Sequence, residues 1–206
     1  RNVPLVVQLF FWYAVITESL PAPAQAVNPL PGVFFSNRGV ALPAMAWQFP
    51  IALELPVLSG FNFSGGASLS PEFAALFLGL TLYTAAFIGE IVRAGILAVD
   101  RGQFQAAVAL GLDRRQAMRL VILPQALRLI LPPVTSQYLN CTKNSSLAVA
   151  IGYPDLVAIA NSTINQTGQA IEGVAIIMSV YLAISLAIAA LMNWYNARIA
   201  LRGAKS

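Results

Sequence analysis

An all-α, polytopic transmembrane helical bundle is the fold class this sequence predicts, and three observations carry the prediction. The first is composition. Of 206 residues, 58% are hydrophobic and only 10% charged, with a mean hydropathy of +0.71. A soluble domain carries roughly 25% charged residues. Too little polar surface is present to cover a water-soluble globule, so lipid must cover part of it. The second observation is a set of four apolar segments, 3–20, 73–99, 129–152 and 171–195. A helix needs roughly 20 mainly apolar residues to cross the hydrocarbon core. The second and fourth segments meet that easily, whereas the first is short and contains Pro4 and the third is polar. The third observation is that the basic residues lie in alternate connecting segments.

That placement sets the orientation. Arg101, Arg114, Arg115, Arg119 and Arg128 sit between the second and third segments, and Arg198, Arg202 and Lys205 form the tail. Between the first and second there is only Arg38, and between the third and fourth none. Excess Lys and Arg mark the cytoplasmic side, and four crossings return the tail to the side of Arg1. Arg128 is expected to snorkel to the headgroups, and Trp194 and Tyr195 to anchor the last span at the interface. The chain starts at Arg1 without Met and reads as an N-terminally truncated piece of a single transmembrane domain, 1–206.

Several function classes drop out. The net charge of +4 could suggest nucleic acid, but the apolar excess and the loop placement of the basic residues explain it without such a partner. Cys141 is the one cysteine and there is no histidine. The chain therefore has no internal disulfide, no expected zinc or haem site, and none of the commonest general base. No metal or cofactor is called for. It has no G-x-x-x-x-G-K-[ST] phosphate loop, no H-E-x-x-H and no G-x-S-x-G, so it is read as no enzyme. N-x-S/T triplets at Asn62, Asn144, Asn161 and Asn165 are weak signals.

The segment 21–70 differs from the rest. Pro21, Pro23, Pro29, Pro31, Pro43, Pro50 and Pro56, with Gly32, Gly39, Gly60, Gly65 and Gly66, exclude regular helix. Phe34, Phe35, Trp47, Phe49, Phe61 and Phe63 accompany them. Two readings stay open: an irregular, Pro-rich external insert whose aromatics rest at the membrane interface, or a docking surface for an external partner.

The loop 101–124 is the most informative stretch. Projected at 100° per residue, Phe104, Ala107, Val108, Gly111 and Leu112 share one side of a short helix, and Ala106, Ala109 and Leu110 occupy much of the other. Within 103–112 only Gln103 and Gln105 are polar. Such a helix cannot be left in cytosolic water; it must be buried under its own protein or gripped by another. Gly111 suits the left-handed conformation that ends a helix. Asp113 and Gln116 have the spacing of a capping box that opens the next. That second helix holds Arg114, Arg115 and Arg119 near the headgroups, and Pro124 is expected to interrupt the chain before the third span.

Here the sequence resembles the coupling loop of ABC importer membrane subunits. That pattern is Glu-Ala-Ala, three residues, Gly, nine residues, Ile, any residue, Leu-Pro. This chain has Gln105-Ala106-Ala107, Gly111, Val121, Leu123 and Pro124 at those spacings. Gln105 and Val121 depart from the pattern, the former without the charge of the family's Glu. Further blocks are similar to the polar amino-acid subfamily. They are the opening Arg1-Asn2-Val3-Pro4-Leu5-Val6-Val7-Gln8-Leu9-Phe10-Phe11, Glu90-Ile91-Val92-Arg93-Ala94-Gly95-Ile96, Leu123-Pro124-Gln125-Ala126-Leu127-Arg128, Leu131-Pro132-Pro133 and Lys143-Asn144-Ser145-Ser146-Leu147-Ala148. The long insert is similar to that of general L-amino-acid importers. The resemblance implies a multi-pass protein of the bacterial cytoplasmic membrane with an importer permease fold and a missing upstream span. It implies a second permease subunit, two ATPase subunits and a periplasmic amino-acid-binding protein as partners. It also implies that Phe104, Gln105, Ala106, Ala107, Val108 and Gly111 engage the ATPase.

In the third span, Ser136, Gln137, Asn140, Lys143 and Asn144 fall within an arc of about 120° on a helical wheel. Such groups cost several kcal/mol in a membrane unless they face a bundle interior or water, so the stripe is expected to line a cavity. Lys143 would then receive a substrate carboxylate. The alternative is that Lys143 pairs with an acid such as Glu90 and the amides join helices. Glu90 with Arg93 reads as a structural pair. The expected function is the translocation path of an ATP-driven L-amino-acid importer. An ion-driven secondary transporter using Glu90 and Lys143 is the alternative, although it would have no use for an exposed apolar cytoplasmic helix.

Overall fold

A computed structural model describes residues 2–46 and 52–201. Trp47, Phe49, Pro50, Arg202 and Lys205 of the sequence reading lie outside them, as does Arg1. The chain divides into two compact units, Arg1–Leu82 with Ser145–Gly168, and Tyr83–Asn144 with Gln169–Ser206.

The first unit opens with α1 (Leu5–Ala14), which runs directly into a five-residue π-turn, Val15–Ser19. Together they rise about 22 Å at 1.5 Å per residue, less than a hydrocarbon core of roughly 30 Å. The first expected span is thus apolar but falls short of the crossing length. Ser70 and Pro71 start α2 (Pro71–Leu97). The Ser70 hydroxyl accepts from the Phe73 N–H at 3.2 Å and the proline fills the first helical position, where no N–H is needed. α1 packs on the start of α2 without a gap. Leu9 is fully buried, and a Cβ at Gly79 would lie 2.6 Å from its Cδ2. The Tyr13 hydroxyl donates to Glu72 at 3.4 Å, and the Phe73 and Tyr153 rings lie 5.7 Å apart. α6 (Leu156–Thr167), capped by Asp155 and ended by Gly168, completes this unit; the sequence reading assigned it no element.

The insert is not irregular. It folds as β1 (Val27–Leu30), β2 (Val33–Ser36), β3 (Gly39–Leu42), β4 (Ala44–Ala46), β5 (Ala52–Glu54), β6 (Val57–Ser59), β7 (Asn62–Ser64) and β8 (Ala67–Leu69). Four strands make an antiparallel sheet in the order β1-β2-β3-β8, and β4-β5 and β6-β7 pair separately. The prolines stand where a sheet tolerates them. Pro29 is on the edge strand β1, Pro31 is in the turn before Gly32 (φ +79°), and Pro43 and Pro56 lie between strands. Leu30-Pro31-Gly32-Val33 has the residues a type II turn requires. Phe34 and Phe63 stack at 4.7 Å, joining β7 to the sheet.

The second unit holds the remainder of α2, α3 (Arg101–Ala109), α4 (Arg114–Ala117), α5 (Leu123–Asn144) and α7 (Ala170–Leu201). Its core is Ala126, Ile130 and Val134 of α5, packed by Ile88, Ile91, Ile96 and Val99. Gly95 is buried, and any side chain there would overlap Ile130. Pro124 does not interrupt the chain. α4, a π-turn at Met118–Ile122, α5 and a 3-10 turn at Ser145–Ile151 form one helical run. The π-turn widens the helix where the proline ring would otherwise meet the carbonyl four residues back.

Three helices among the described residues are long and apolar enough to cross a membrane: Pro71–Leu97, Arg114–Ile151 and Ala170–Asn196. None of the apolar window of α7 is buried inside the chain, although α7 packs against α5. Residues such as Ile171, Met178, Leu186 and Leu191 are exposed, as expected of a helix that lipid or another subunit covers.

Candidate translocation path and coupling surface

The coupling loop is set by local rules at each end. Asp100 Oδ1 accepts the Gly102 N–H at 2.6 Å and caps α3, a role the sequence reading did not assign. At the other end the Gly111 N–H donates to Val108 O at 2.9 Å and the Leu112 N–H to Ala107 O at 3.1 Å. Gly111 has φ +85°. This is the paired pattern of a Schellman stop with glycine in the left-handed position. The capping box of α4 is complete: the Gln116 N–H donates to Asp113 Oδ1 at 2.8 Å, and the Asp113 N–H to Gln116 Oε1 at 2.9 Å. The Gln125 amide donates to Gln103 Oε1 at 3.1 Å, tying α3 to the start of α5.

The six residues expected to engage an ATPase divide by exposure. Ala107 is 3% exposed and packs within its own chain, and Phe104 is half-buried on the same side. Gln105, Ala106 and Gly111 are exposed, and Val108 is 48% exposed. Ala109 and Leu110 were missing from the expected set, yet both are exposed, Leu110 at 83%. The wheel had put Ala106, Ala109 and Leu110 together, but periodicity alone cannot say which side of an all-apolar helix faces its own protein. The outer face is therefore Ala106, Ala109 and Leu110; Val108, though 48% exposed, lies on the Phe104 side of the helix.

The polar residues of the third span all lie on the last turns of α5. Ser136, Asn140 and Lys143 are exposed, while Gln137 and Asn144 are half-buried. This follows from their phase. At 100° per residue the stripe is centred about 80° from the buried Ala126–Ile130–Val134 face, and Gln137 and Asn144 are its members nearest that face. The stripe thus flanks the packed core: Gln137 and Asn144 reach into the buried side, and Ser136, Asn140 and Lys143 turn away from it. Glu90 and Arg93 form the expected pair one turn apart, with Arg93 Nε donating to Glu90 Oε2 at 3.1 Å. Among the described residues no group of three or more His, Cys, Asp or Glu could hold a metal.

An open groove of about 650 Å³ lies beside the loop. The end of α2, α3 and the α4–π-turn segment enclose it, with Leu97, Arg101, Phe104, Arg114, Met118 and Ile122 in its wall.

Known proteins place this architecture. The chain is 46% identical to the protein YhdX of Escherichia coli, over 98% of this chain and 66% of YhdX. It is 40% identical to AapQ of Rhizobium johnstonii, a general L-amino acid transport system permease protein, over 98% of this chain and 64% of AapQ. The chain therefore spans just under two thirds of the length of both. One chain of the crystal structure of an amino acid ABC transporter with histidines superimposes with a TM-score of 0.62 at 28% identity, covering 96% of this chain and 71% of that one. Residues 1–201 match the profile of a binding-protein-dependent transport system inner membrane component, and the chain belongs to that family.

Proposed function

We propose that this chain is the membrane-spanning subunit of an ATP-driven importer, forms part of the translocation path for L-amino acids, and is driven through α3 by a separate ATPase. The observation that carries the reading is the outer face of α3, where Leu110 is 83% exposed beside the exposed Ala106 and Ala109. Exposed apolar surface on a cytoplasmic loop is stable only when a partner covers it. The Schellman stop and the capping box hold that face rigidly against α4 and, through the π-turn, α5. A push on α3 is thereby delivered to the helix that bears the polar stripe. The partners are two ATPase subunits, a second permease subunit and a periplasmic amino-acid-binding protein. The family description supports the binding-protein partner, and the names of AapQ and of the solved amino acid ABC transporter support the amino-acid cargo.

In this reading the 21–70 segment is the external side of the subunit and 101–124 the cytoplasmic side. Closure of the ATPase pair rocks the spans and turns the path from outward- to inward-facing. Ser136, Gln137, Asn140 and Asn144 orient the polar groups of the cargo, and Lys143 receives its carboxylate. A hydrogen bond to a charged group contributes about 1.5–3 kcal/mol, so Lys143→Met raises KM for uptake by about tenfold or more while ATPase assembly is unchanged. An unchanged KM would remove Lys143 from the path.

The whole reading is tested by reconstituting the chain with and without its partner subunits in vesicles. Uptake of L-amino acids that requires ATP and the ATPase is the expected result. Uptake by the chain in the absence of any ATPase would overturn it.

A further inference from the structure

We propose that the groove enclosed by the end of α2, α3 and the α4–π-turn segment is a binding site for one anionic phospholipid of the cytoplasmic leaflet. The inference rests on the orientation given under the proposed function. Two kinds of wall meet in this groove. Leu97, Phe104, Met118 and Ile122 supply apolar surface, and Leu97 is 67% exposed at the very end of a membrane-crossing helix. Arg101 and Arg114, both exposed, supply two positive charges. Asp100 also lines the groove, but its Oδ1 is committed to the Gly102 N–H at 2.6 Å.

An ordinary soluble anion would use the arginines and leave the apolar wall wet. A neutral lipid would cover the apolar wall and leave the net positive charge of Arg101 and Arg114 over Asp100 unbalanced. A phosphodiester headgroup with its first chain methylenes satisfies both, and about 650 Å³ accommodates that portion of the molecule. Basic pockets at the inner end of membrane helices face a leaflet rich in such lipids, and each Arg or Lys there contributes about 1 kcal/mol.

The site is distinct from the outer face of α3. Of α3, Arg101, Phe104 and Gln105 stand in the groove wall, whereas Ala106, Ala109 and Leu110 do not. A lipid seated there would brace the inner side of α3 while the motor grips the outer side. Coupling would then depend on the lipid without the lipid touching the cargo.

The test uses the assembled transporter in nanodiscs of phosphatidylcholine titrated with phosphatidylglycerol, reading both ATP-driven activity and the phosphatidylglycerol retained on the complex by native mass spectrometry. Arg101→Gln and Arg114→Gln are each expected to raise the half-saturating phosphatidylglycerol fraction about fivefold, from the loss of one charge. Arg115→Gln removes the same charge from an exposed position beside the groove and is expected to leave the fraction unchanged. Met118→Gln alters the apolar wall at constant charge. It is expected to lower retention about fourfold, the equivalent of one methylene group returned to water.

Equal shifts in all three arginine variants would overturn the site in favour of diffuse surface charge. So would no shift in any of them, or lipid retained by the chain alone but not by the assembled transporter, which would make the groove part of the motor contact. Failure of the transport reading itself would look different: no ATP-dependent uptake in any lipid mixture.

Discussion

The 101–124 loop and the 21–70 insert both connect apolar helices, but their sequences encode structure in different ways. In the loop every feature is decided within about five residues: Asp100 caps α3, Gly111 stops it, and Asp113 with Gln116 starts α4. In the insert only turns such as Leu30-Pro31-Gly32-Val33 are decided locally. Each strand is three or four residues long and is stable only through its partners, such as Phe34 opposite Ala41 and Val40 opposite Leu69. Local structure is therefore legible from a single sequence, and cross-strand structure is not. The loop also shows the limit of that legibility, because an element can be located without knowing which side of it is free.

The largest effect that would sharpen this contrast comes from the free side of α3. Leu110 is almost wholly exposed, so Leu110→Asp leaves the subunit folded. An unpaired carboxylate buried under an ATPase costs about 3–5 kcal/mol, and ATP-driven uptake falls by about 100-fold or more. Normal uptake in that variant would place the contact elsewhere.

Next comes a break confined to the insert. Gly39 has φ +105°, and a Cβ there would overlap the Leu69 carbonyl of the paired strand. Gly39→Val combines backbone strain with overpacking and destabilises the sheet by about 3 kcal/mol. Limited proteolysis should then cut within 21–70 while the loop remains protected; a protected insert would contradict the pairing of β3 with β8. The smallest effect is local. Asp113→Ala removes one side of the capping box and costs about 1 kcal/mol, read as a lowered thermal midpoint in detergent. No change would mean that α4 is held by its neighbours and not by its cap.

The same division explains what the sequence reading reached and missed. Long apolar stretches reveal spans, and the α2 and α7 expectations coincide with their helices to within a few residues at the start. The stop at Gly111 and the box at Asp113 were legible because capping chemistry uses few residue types. Pro124 was misread because a proline signals a break unless a π-turn is known to precede it. The insert was misread because proline density argues against helix and strand alike. Only strand pairing reveals that Pro29 lies on an edge strand and Pro31 in a turn. α6 was missed because its Asp155 cap and Gly168 stop bracket twelve residues, Leu156–Thr167, too few to stand out beside the spans. At the candidate site, phase identified the polar stripe, but which residues of α3 face outward required the packing of Ala107.

Thiol labelling tests the central claim most directly. With Cys141 replaced by Ser and Leu110→Cys introduced, a membrane-impermeant maleimide applied to inverted and to right-side-out vesicles reports the side on which α3 lies. Adding the ATPase reports whether its outer face becomes covered. The account predicts rapid labelling from the cytoplasmic side alone and strong protection by the ATPase. Labelling from the external side, or a rate that the ATPase leaves untouched, would contradict it.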